Sequence, residues 1–425
     1  MVPQTKKKRV LFGSYTEGKR KVFCFFGIKI KLRSRYRELR ARIEVLEETN
    51  KVLSSYLCML DKLVNSPDFS VADKDAETLK KSAPSGTSTA LENRVEELER
   101  KVVVHNRRLD AQKNDYAQKV RELARDVYYK IRKYSSPEKY AEQLRDWYYE
   151  AMGVPLNLES PDTYNEKVQW LKLYDSTPLK SQLADKLLVR PWVEEKIGKQ
   201  YLIPLLGAWN SYEEIDFSSL PKRFVLKCNH GCAYNIVVKD KDKLDMALTE
   251  RRIKTWLNDD YTFRCGFELH YSAITPMVIA EQFIENKITG GDLWDYKFWC
   301  FDGKVKYIQF LSERNTNGLK MAFYDRDWNK QNFVYSYPLD TKDIEKPDNL
   351  DEMIEIAEKL AAGFCHVRVD LYRMDDGQIY FGEMTFTSFS GVCKWKPESM
   401  NKLMGDLITL PQKSYTHADV PPFQP

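Results

Sequence analysis

A mixed α/β (α+β) catalytic domain preceded by a long N-terminal coiled coil is the fold class that the sequence predicts. Three observations carry it. Leucines recur at every seventh position from Leu39 to Leu60. Heptads stop after about Tyr134, where aromatic residues become dense. From there on, apolar strand-like runs alternate with helical ones. At 425 residues the chain exceeds what one compact core usually holds, and with 43% hydrophobic and 13% aromatic residues it has material for a large packed domain.

Charge is unevenly placed. Residues 1–40 hold thirteen Lys and Arg against Glu17 and Glu38, a net of +11, which leaves −6 for residues 41–425. The basic character is local, so no nucleic-acid partner is expected. The eight cysteines are scattered and none forms a Cys-x-x-Cys pair, which points to a reducing compartment. No apolar run approaches the roughly 18 residues of a membrane span. The N-terminus also lacks the apolar core and cleavage site of a signal peptide.

Residues 1–35 form a basic segment. Within it, KVFCFFGIKIK (21–31) fits a strand or hairpin with its charges in water. It also fits a membrane-surface foot, with Phe23, Phe25, Phe26 and Ile28 at the acyl boundary and lysines on anionic lipid. Residues 36–64 form a coiled coil. Tyr36, Ile43, Asn50, Leu57 and Val64 occupy a, and Leu39, Leu46, Leu53 and Leu60 occupy d. The buried amide of Asn50 favours a parallel two-stranded register, and the leucine seam favours self-association over packing on the chain's own domain. Residues 65–90, with NSPDFS and SAPSGTSTA, form a flexible linker. Residues 91–133 form a second helical stalk whose seam weakens at His105 and Gln112 and shifts register after Tyr116.

Residues 134–425 form the catalytic domain. FVLKC, YNIVV, MVIAEQFI, DYKFWCF, KVKYIQFL, HVRVDLY and QIYFGEM are predicted strands. NLDEMIEIAEKLAAGF is a predicted amphipathic helix with Leu350, Ile354, Ala357 and Leu360 on one face. LADKLLVRPWVEEKIG (183–198) reads as a helical run that starts at Asp185 and Lys186 and ends at Gly198.

Two places carry candidate chemistry. In KCNHGCAYN (227–235) a lysine ends a strand and a turn follows around Gly231. Backbone N–H groups in such a turn can wrap phosphate oxygens, and the lysine adds a point charge. An ordinary hairpin looks the same in isolation. Cys228, His230 and Cys232 lack a second Cys/His cluster to complete a zinc site. In HVRVDLYRMDDGQIYFGEMTF (366–386) two strands flank the turn MDDG. Residues two apart share a face, so Arg368, Asp370, Glu383 and Thr385 converge on one face of the hairpin. Two hard carboxylates on adjacent strands suit Mg²⁺. A carboxylate inside the apolar VRVDLY is costly without a partner, which favours function over a solvated hairpin. Glu281, Asp295 and Lys297 are further polar residues among apolar strand residues.

In this order, TYNEKVQWLKLYD, DKLLVRPWVEEKIG, LIPLLGAWNSYEEIDFSSLPKRFVLKCNHG, IAEQFIE, DYKFWCFDGK and VRVDLY…IYFGEMTF resemble the TupA-like branch of the ATP-grasp superfamily over roughly residues 161–411. That branch is associated with bacterial surface-polysaccharide and teichuronopeptide biosynthesis. The resemblance implies ATP and Mg²⁺ as cofactors. It places Lys186 and Lys227 on nucleotide phosphates, and residues 228–235, with Asn229, His230 and Gly231, in the phosphate-covering loop. Glu281 matches the acceptor for the adenine amine, with the backbone of Gln282–Ile284 as hinge. Asp295 matches the ribose carboxylate and Lys297 a γ-phosphate contact. Asp370 and Glu383 match the metal ligands, and Arg368 stabilises an acyl phosphate or oxyanion. Two departures stand out. The loop CAYN is poorer in Gly and Ser than is usual, and Thr385 stands where the third metal ligand is usually Asn.

The function the resemblance implies is ATP-dependent carboxylate–amine ligation through an acyl phosphate. An amino acid or other amine and a uronic-acid-type carboxylate or surface-glycan precursor are the expected partners. A homo-oligomer held by the coiled coil is expected in the cytoplasm, with the basic segment at the inner membrane face as one option. Two alternatives remain at this point. One is a glycosyltransferase using a nucleotide sugar through Asp325-Arg326-Asp327, a tripeptide whose setting reads as a turn. The other is a non-catalytic coiled-coil scaffold with a degenerate nucleotide site.

Overall fold

Every predicted strand between Phe224 and Thr385 forms in the computed structural model of the chain. The structure describes residues 129, 132, 133, 135–286, 293–312 and 319–413, and the backbone of 12–17, 20–25 and 28–31. The chain divides into two units, residues 1–130 and 131–425. In the first, β1 (Phe12–Glu17), β2 (Arg20–Phe25) and β3 (Ile28–Lys31) pair antiparallel in that order. The strand expectation for residues 21–31 thus fits the backbone. The heptad region, the linker and residues 91–128 lie outside the described residues.

The second unit opens with α1 (Tyr140–Met152), α2 (Tyr164–Tyr174), α3 (Pro178–Ala184) and α4 (Val189–Lys196). A capping box starts α2: the Thr163 hydroxyl accepts from Glu166 N, and the Glu166 carboxylate accepts from Thr163 N at 3.0 Å. The helical run expected from Asp185 needs correction. Asp185 takes an extended backbone, and its carboxylate accepts from Leu187 N at 2.8 Å and Leu188 N at 3.1 Å. The side chain replaces helical partners there, so α3 and α4 are separate and Lys186 sits in the turn between them.

A four-stranded sheet follows, in the order β4-β7-β5-β6 and antiparallel throughout: β4 (Leu205–Trp209), β5 (Phe224–Cys228), β6 (Asn235–Val238) and β7 (Val278–Gln282). Alternation decides what each face carries. Phe224, Leu226, Cys228, Val278 and Ala280 join Ile253 of α5 (Met246–Leu257) in a core. Lys227 and Glu281 are left on the opposite face.

The larger sheet runs β11-β10-β9-β8-β13-β14, again antiparallel. Its strands are β8 (Trp294–Phe301), β9 (Lys304–Ser312), β10 (Lys320–Asp325), β11 (Lys330–Gln331), β13 (His366–Arg373) and β14 (Ile379–Thr385). A two-stranded pair, β12 (Val334–Tyr335) and β15 (Trp395–Lys396), and the helix α7 (Ser399–Asp406) complete the unit. The predicted helix forms as α6 (Leu350–Ala361). It buries Leu350, Ile354, Ala357 and Leu360 as expected, together with Met353 and Ile356. Each large apolar side chain so buried contributes about 1.5–3 kcal/mol. Against α6 pack Tyr296, Phe298 and Cys300 of β8 and Val367, Val369 and Leu371 of β13. The alternate residues, Asp295 and Lys297 on β8 and Arg368 and Asp370 on β13, therefore face away from this core.

Candidate active site

The hairpin of β13 and β14 assembles the charged cluster. Arg368 pairs with Thr385 and Asp370 with Glu383, so the face predicted from the sequence does form. A bulge sets it: after Asp370↔Glu383 the register jumps to Leu371↔Phe381, leaving Gly382 as the extra residue. The bulge lets Phe381 join the core while Glu383, two residues on, stays opposite Asp370. A Cβ on Gly382 would lie 3.0 Å from the Asp370 carbonyl oxygen, a close approach that a glycine accommodates.

Asp370 is buried at 2% exposure. Arg368 donates to both of its oxygens, Nε to Oδ1 at 2.6 Å and NH2 to Oδ2 at 2.8 Å. The same NH2 reaches Glu383 Oε1 at 3.1 Å and Thr385 Oγ1 at 3.0 Å, and the Thr385 hydroxyl donates to Glu383 Oε1 at 3.0 Å. Lys297, opposite Asp370 on β8, donates to Asp370 Oδ2 and lies 2.9 Å from Asp295 Oδ2. Burial pushes the Asp370 carboxyl up, but Arg368 and Lys297 outweigh it and hold it below the ordinary aspartate value. For Arg368, burial acts downward, and Asp370 and Glu383 more than reverse it.

On the smaller sheet, Lys227 Nζ lies 2.6 Å from Glu281 Oε2. Lys186 Nζ donates to the Gly231 carbonyl at 2.6 Å, and Lys186 N to the Asn229 carbonyl at 3.0 Å. The turn between β5 and β6 is braced from behind. Asn229 is buried, and its amide donates to Asp185 Oδ2 at 2.8 Å and Thr275 O at 2.9 Å while accepting from Met277 N at 2.7 Å. His230 is buried with Nε2 3.0 Å from the Trp256 carbonyl oxygen, and burial pushes its pKa down. Both side chains serve the protein, and the Asn229 N–H donates to the Met277 carbonyl at 3.0 Å, so what the turn offers a phosphate is the backbone of His230 and Gly231. Gly231 has φ +77°, and a Cβ there would meet the Tyr261 ring at 2.5 Å. Tyr234 stacks on Trp256 at 5.3 Å and donates to Asp259. Tyr234, one of the residues that depart from a Gly-rich loop, thus braces this one.

The turn and the hairpin approach each other. Cys232, at the tip of the turn, lies within electrostatic reach of Glu383, Arg368 and Lys186. Gln282 ends β7 with its N–H on the Pro204 carbonyl at 3.0 Å, and Ile284 lies half-buried in the segment that leads toward β8. Lys186, Lys227, Glu281, Asp295, Lys297, Arg368, Asp370, Glu383 and Thr385 thus line two adjoining surfaces.

The donor set fits Mg²⁺. Asp370, Glu383 and Thr385 present only hard oxygens, and two carboxylates face each other across one strand pair. Among the described residues no group of three His, Cys, Asp or Glu side chains gathers for a metal, so the pair would rely on other oxygens, as Mg²⁺ does with phosphates. The Asp325 carboxylate has a different use. It closes its own turn, accepting from Asp327 N at 3.0 Å and Asn329 N at 2.8 Å.

Two elements of the surroundings were not anticipated. Arg190 on α4 donates to Glu281 Oε1 at 3.1 Å and to the Ile203 carbonyl at 2.7 Å. Behind the hairpin, buried Lys172 donates to Gln169 Oε1 and to the carbonyls of Cys265 and Ser390, while Glu268 accepts from Thr387. Nothing in the local sequence marks that cluster, because its members come from three separate segments.

A lysine-bearing turn on one antiparallel sheet beside a carboxylate hairpin on a second defines an ATP-grasp enzyme, a class of ligases that use ATP and Mg²⁺. The model of the TupA-like ATPgrasp family matches residues 166–409, and the chain belongs to that family. No curated protein matches the chain. Among solved structures it is similar to D-alanine–D-alanine ligase from Bacillus anthracis complexed with ATP, at 16% identity over 48% of this chain and 55% of that one, TM-score 0.29. It is also similar to an L-amino acid ligase from Bacillus licheniformis, at 15% identity over 49% and 44%, TM-score 0.32. A third is N5-carboxyaminoimidazole synthetase from Staphylococcus aureus complexed with ADP, at 12% over 54% and 53%, TM-score 0.29. The chain spans about half the length of each.

Proposed function

We propose that this chain is an ATP-dependent carboxylate–amine ligase. The observation that carries the proposal is the convergence of Arg368, Asp370, Glu383, Thr385 and Lys297 on one face beside the Lys186/Lys227 turn. Lys186, Lys227 and the backbone of 230–231 hold nucleotide phosphates, Glu281 and the Gln282–Ile284 backbone meet the adenine, and Asp295 the ribose. A substrate carboxylate oxygen attacks the γ-phosphorus. The new O–P bond forms as the bond to the β-phosphate oxygen breaks, and ADP takes the electron pair. An amine nitrogen then attacks the acyl carbon. The C–N bond forms, the C–O bond to phosphate breaks, and phosphate leaves with that electron pair and takes up the proton the amine gives up. Asp370, Glu383 and Thr385 would hold Mg²⁺, which supplies charge neutralisation at phosphate oxygens when bound. Lys297 meets the γ-phosphate, and Arg368 stabilises the oxyanion that develops at the acyl carbon.

The resemblance supports a uronic-acid-type carboxylate and an amino acid or amine, and with them a role in cell-surface polysaccharide biosynthesis. It supports the cytoplasm as the site of action, where ATP is available. No described helix is long and apolar enough to cross a membrane. The heptad leucines support a homo-oligomer, and the basic residues of 1–35 support contact with the inner membrane face.

Calorimetric titration of the full chain with ADP and Mg²⁺, beside UDP-sugars, tests the nucleotide site. Adenine-nucleotide binding that weakens at least about tenfold in Lys227→Met, some 1.4 kcal/mol, is the expected result. Binding to UDP-sugars alone would replace the ligase with a glycosyltransferase, and binding to neither would leave a scaffold.

A further inference from the structure

Glu281 has two cationic partners, and they are held differently. Lys227 reaches Oε2 at 2.6 Å from the adjoining strand, and Glu281 is its described acceptor. Arg190 reaches Oε1 at 3.1 Å and is tied by its second nitrogen to the Ile203 carbonyl at 2.7 Å. All three side chains are largely covered: Glu281 is 10% exposed, Arg190 15% and Lys227 20%. The doubly anchored guanidinium sits on a helix, whereas the lysine ends in a flexible ammonium whose other donors remain for a new acceptor. Lys186 lies four residues before Arg190, in the turn ahead of α4, and is tied to the Gly231 carbonyl at 2.6 Å. Two cations thus share one carboxylate beside the phosphate turn, and the trio carries a net charge of +1.

A phosphate that draws Lys227 away takes one counter-ion from Glu281. A covered carboxylate left with no cation is strongly disfavoured, so the ease of that exchange depends on what stays behind. We propose that Arg190 is a positioning residue for the nucleotide polyphosphate: it stays on Glu281 as fixed counter-ion and so releases Lys227 to the phosphates. The proposal rests on the nucleotide-site assignment above and adds a residue and an order of events to it. Arg190 acts through the charge of Glu281 and needs no contact with the nucleotide.

The test is a double-mutant cycle on the full chain with Mg²⁺, reading the dissociation constants of ADP and adenosine for wild type, Arg190→Met, Glu281→Gln and the double variant. Arg190→Met is expected to weaken ADP tenfold or more and adenosine less than twofold, because adenosine has no phosphate to recruit Lys227. In the Glu281→Gln background the same substitution is expected to change ADP binding less than twofold, since no carboxylate then retains Lys227. The double variant removes one charge of each sign, so comparing it with Glu281→Gln remains informative if Arg190→Met alone fails to fold. A tenfold loss for ADP that persists in the Glu281→Gln background, or an equal loss for adenosine, would overturn the proposal in favour of a general structural role. No change of ADP affinity in Arg190→Met would overturn it too. Wild type that binds no ADP would instead defeat the nucleotide-site assignment.

Discussion

The two charged surfaces of the second unit hold their cations in opposite ways. On the smaller sheet, Lys186 is tied to one carbonyl and Lys227 to one carboxylate, and both ammonium groups are partly exposed. On the larger sheet, Lys297 bridges Asp295 and Asp370, and Arg368 grips Asp370 through two nitrogens, all of it buried. A side chain with one tether can exchange it for a ligand at low cost. A buried network with every partner in place is rigid and expensive to break. The turn is therefore the surface that adapts, and the hairpin is the surface set in advance.

The sharpest way to break this comparison is Asp370→Asn. It leaves Arg368 and Lys297 buried without their shared carboxylate charge, and removing one partner of a buried ion pair costs about 3–5 kcal/mol. Lys227→Met removes a partly exposed partner from a Glu281 that keeps Arg190, so a loss of under about 1 kcal/mol is expected. Urea denaturation of the two variants measures the difference. Equal losses would mean that the hairpin network is no more preassembled than the turn.

The contrast was partly legible in the sequence. A carboxylate in the middle of VRVDLY, with Arg368 two residues away, announced a paired charge on a strand, because period-two geometry is local. The leucines of α6 announced its buried face for the same reason. Two-residue strands such as β12 and β15 carry too few residues for a period to show. Arg190 and Lys172 were silent because their partners lie in distant segments: Arg190 meets Glu281 ninety-one positions on, and Lys172 meets Ser390. The helix expected to start at Asp185 starts at Val189, because the Asp185 carboxylate holds Leu187 N and Leu188 N in a turn ahead of it.

A second prediction separates two buried groups on the same strand by pH. His366 begins β13, with Nδ1 2.9 Å from the Cys300 carbonyl oxygen and Nε2 3.0 Å from the Tyr164 hydroxyl. Burial pushes its pKa down to about 3, and His270 is likewise pushed down to about 3. Between roughly pH 6.5 and 3 the unfolded chain binds protons that these folded imidazoles refuse, so stability falls as pH falls through that window. The slope is about 1.4 kcal/mol per pH unit for each group. Asp370 has its folded pKa below the ordinary value, so its stabilisation is complete above about pH 4 and is lost only below that. Stability measured from pH 6 to 4.5 should lose one histidine's slope in His366→Phe and keep the wild-type slope in Asp370→Asn. A wild-type slope in His366→Phe would refute the neutral buried imidazole.

Glu383→Gln should have the smallest effect on stability and sharpens the comparison from within the hairpin. Glu383 is the exposed member of the cluster, with 37% of its side chain accessible, and its described bonds both go to Oε1. A glutamine keeps an oxygen there to accept from Arg368 and Thr385, so the loss of stability should stay under about 1 kcal/mol, as for a solvent-screened pair. The charge it removes is the one offered outward. If Glu383 holds Mg²⁺, the enhancement of ADP binding by Mg²⁺ should fall by at least the roughly 10–100-fold that follows loss of a residue merely supporting a metal ligand. ADP binding without metal should change little, because Lys186 and Lys227 are untouched. A Glu383→Gln chain with wild-type Mg²⁺ dependence would leave Asp370 as the lone carboxylate of the site. Since Asp370 already satisfies Arg368 and Lys297, the hairpin would then not be the metal site.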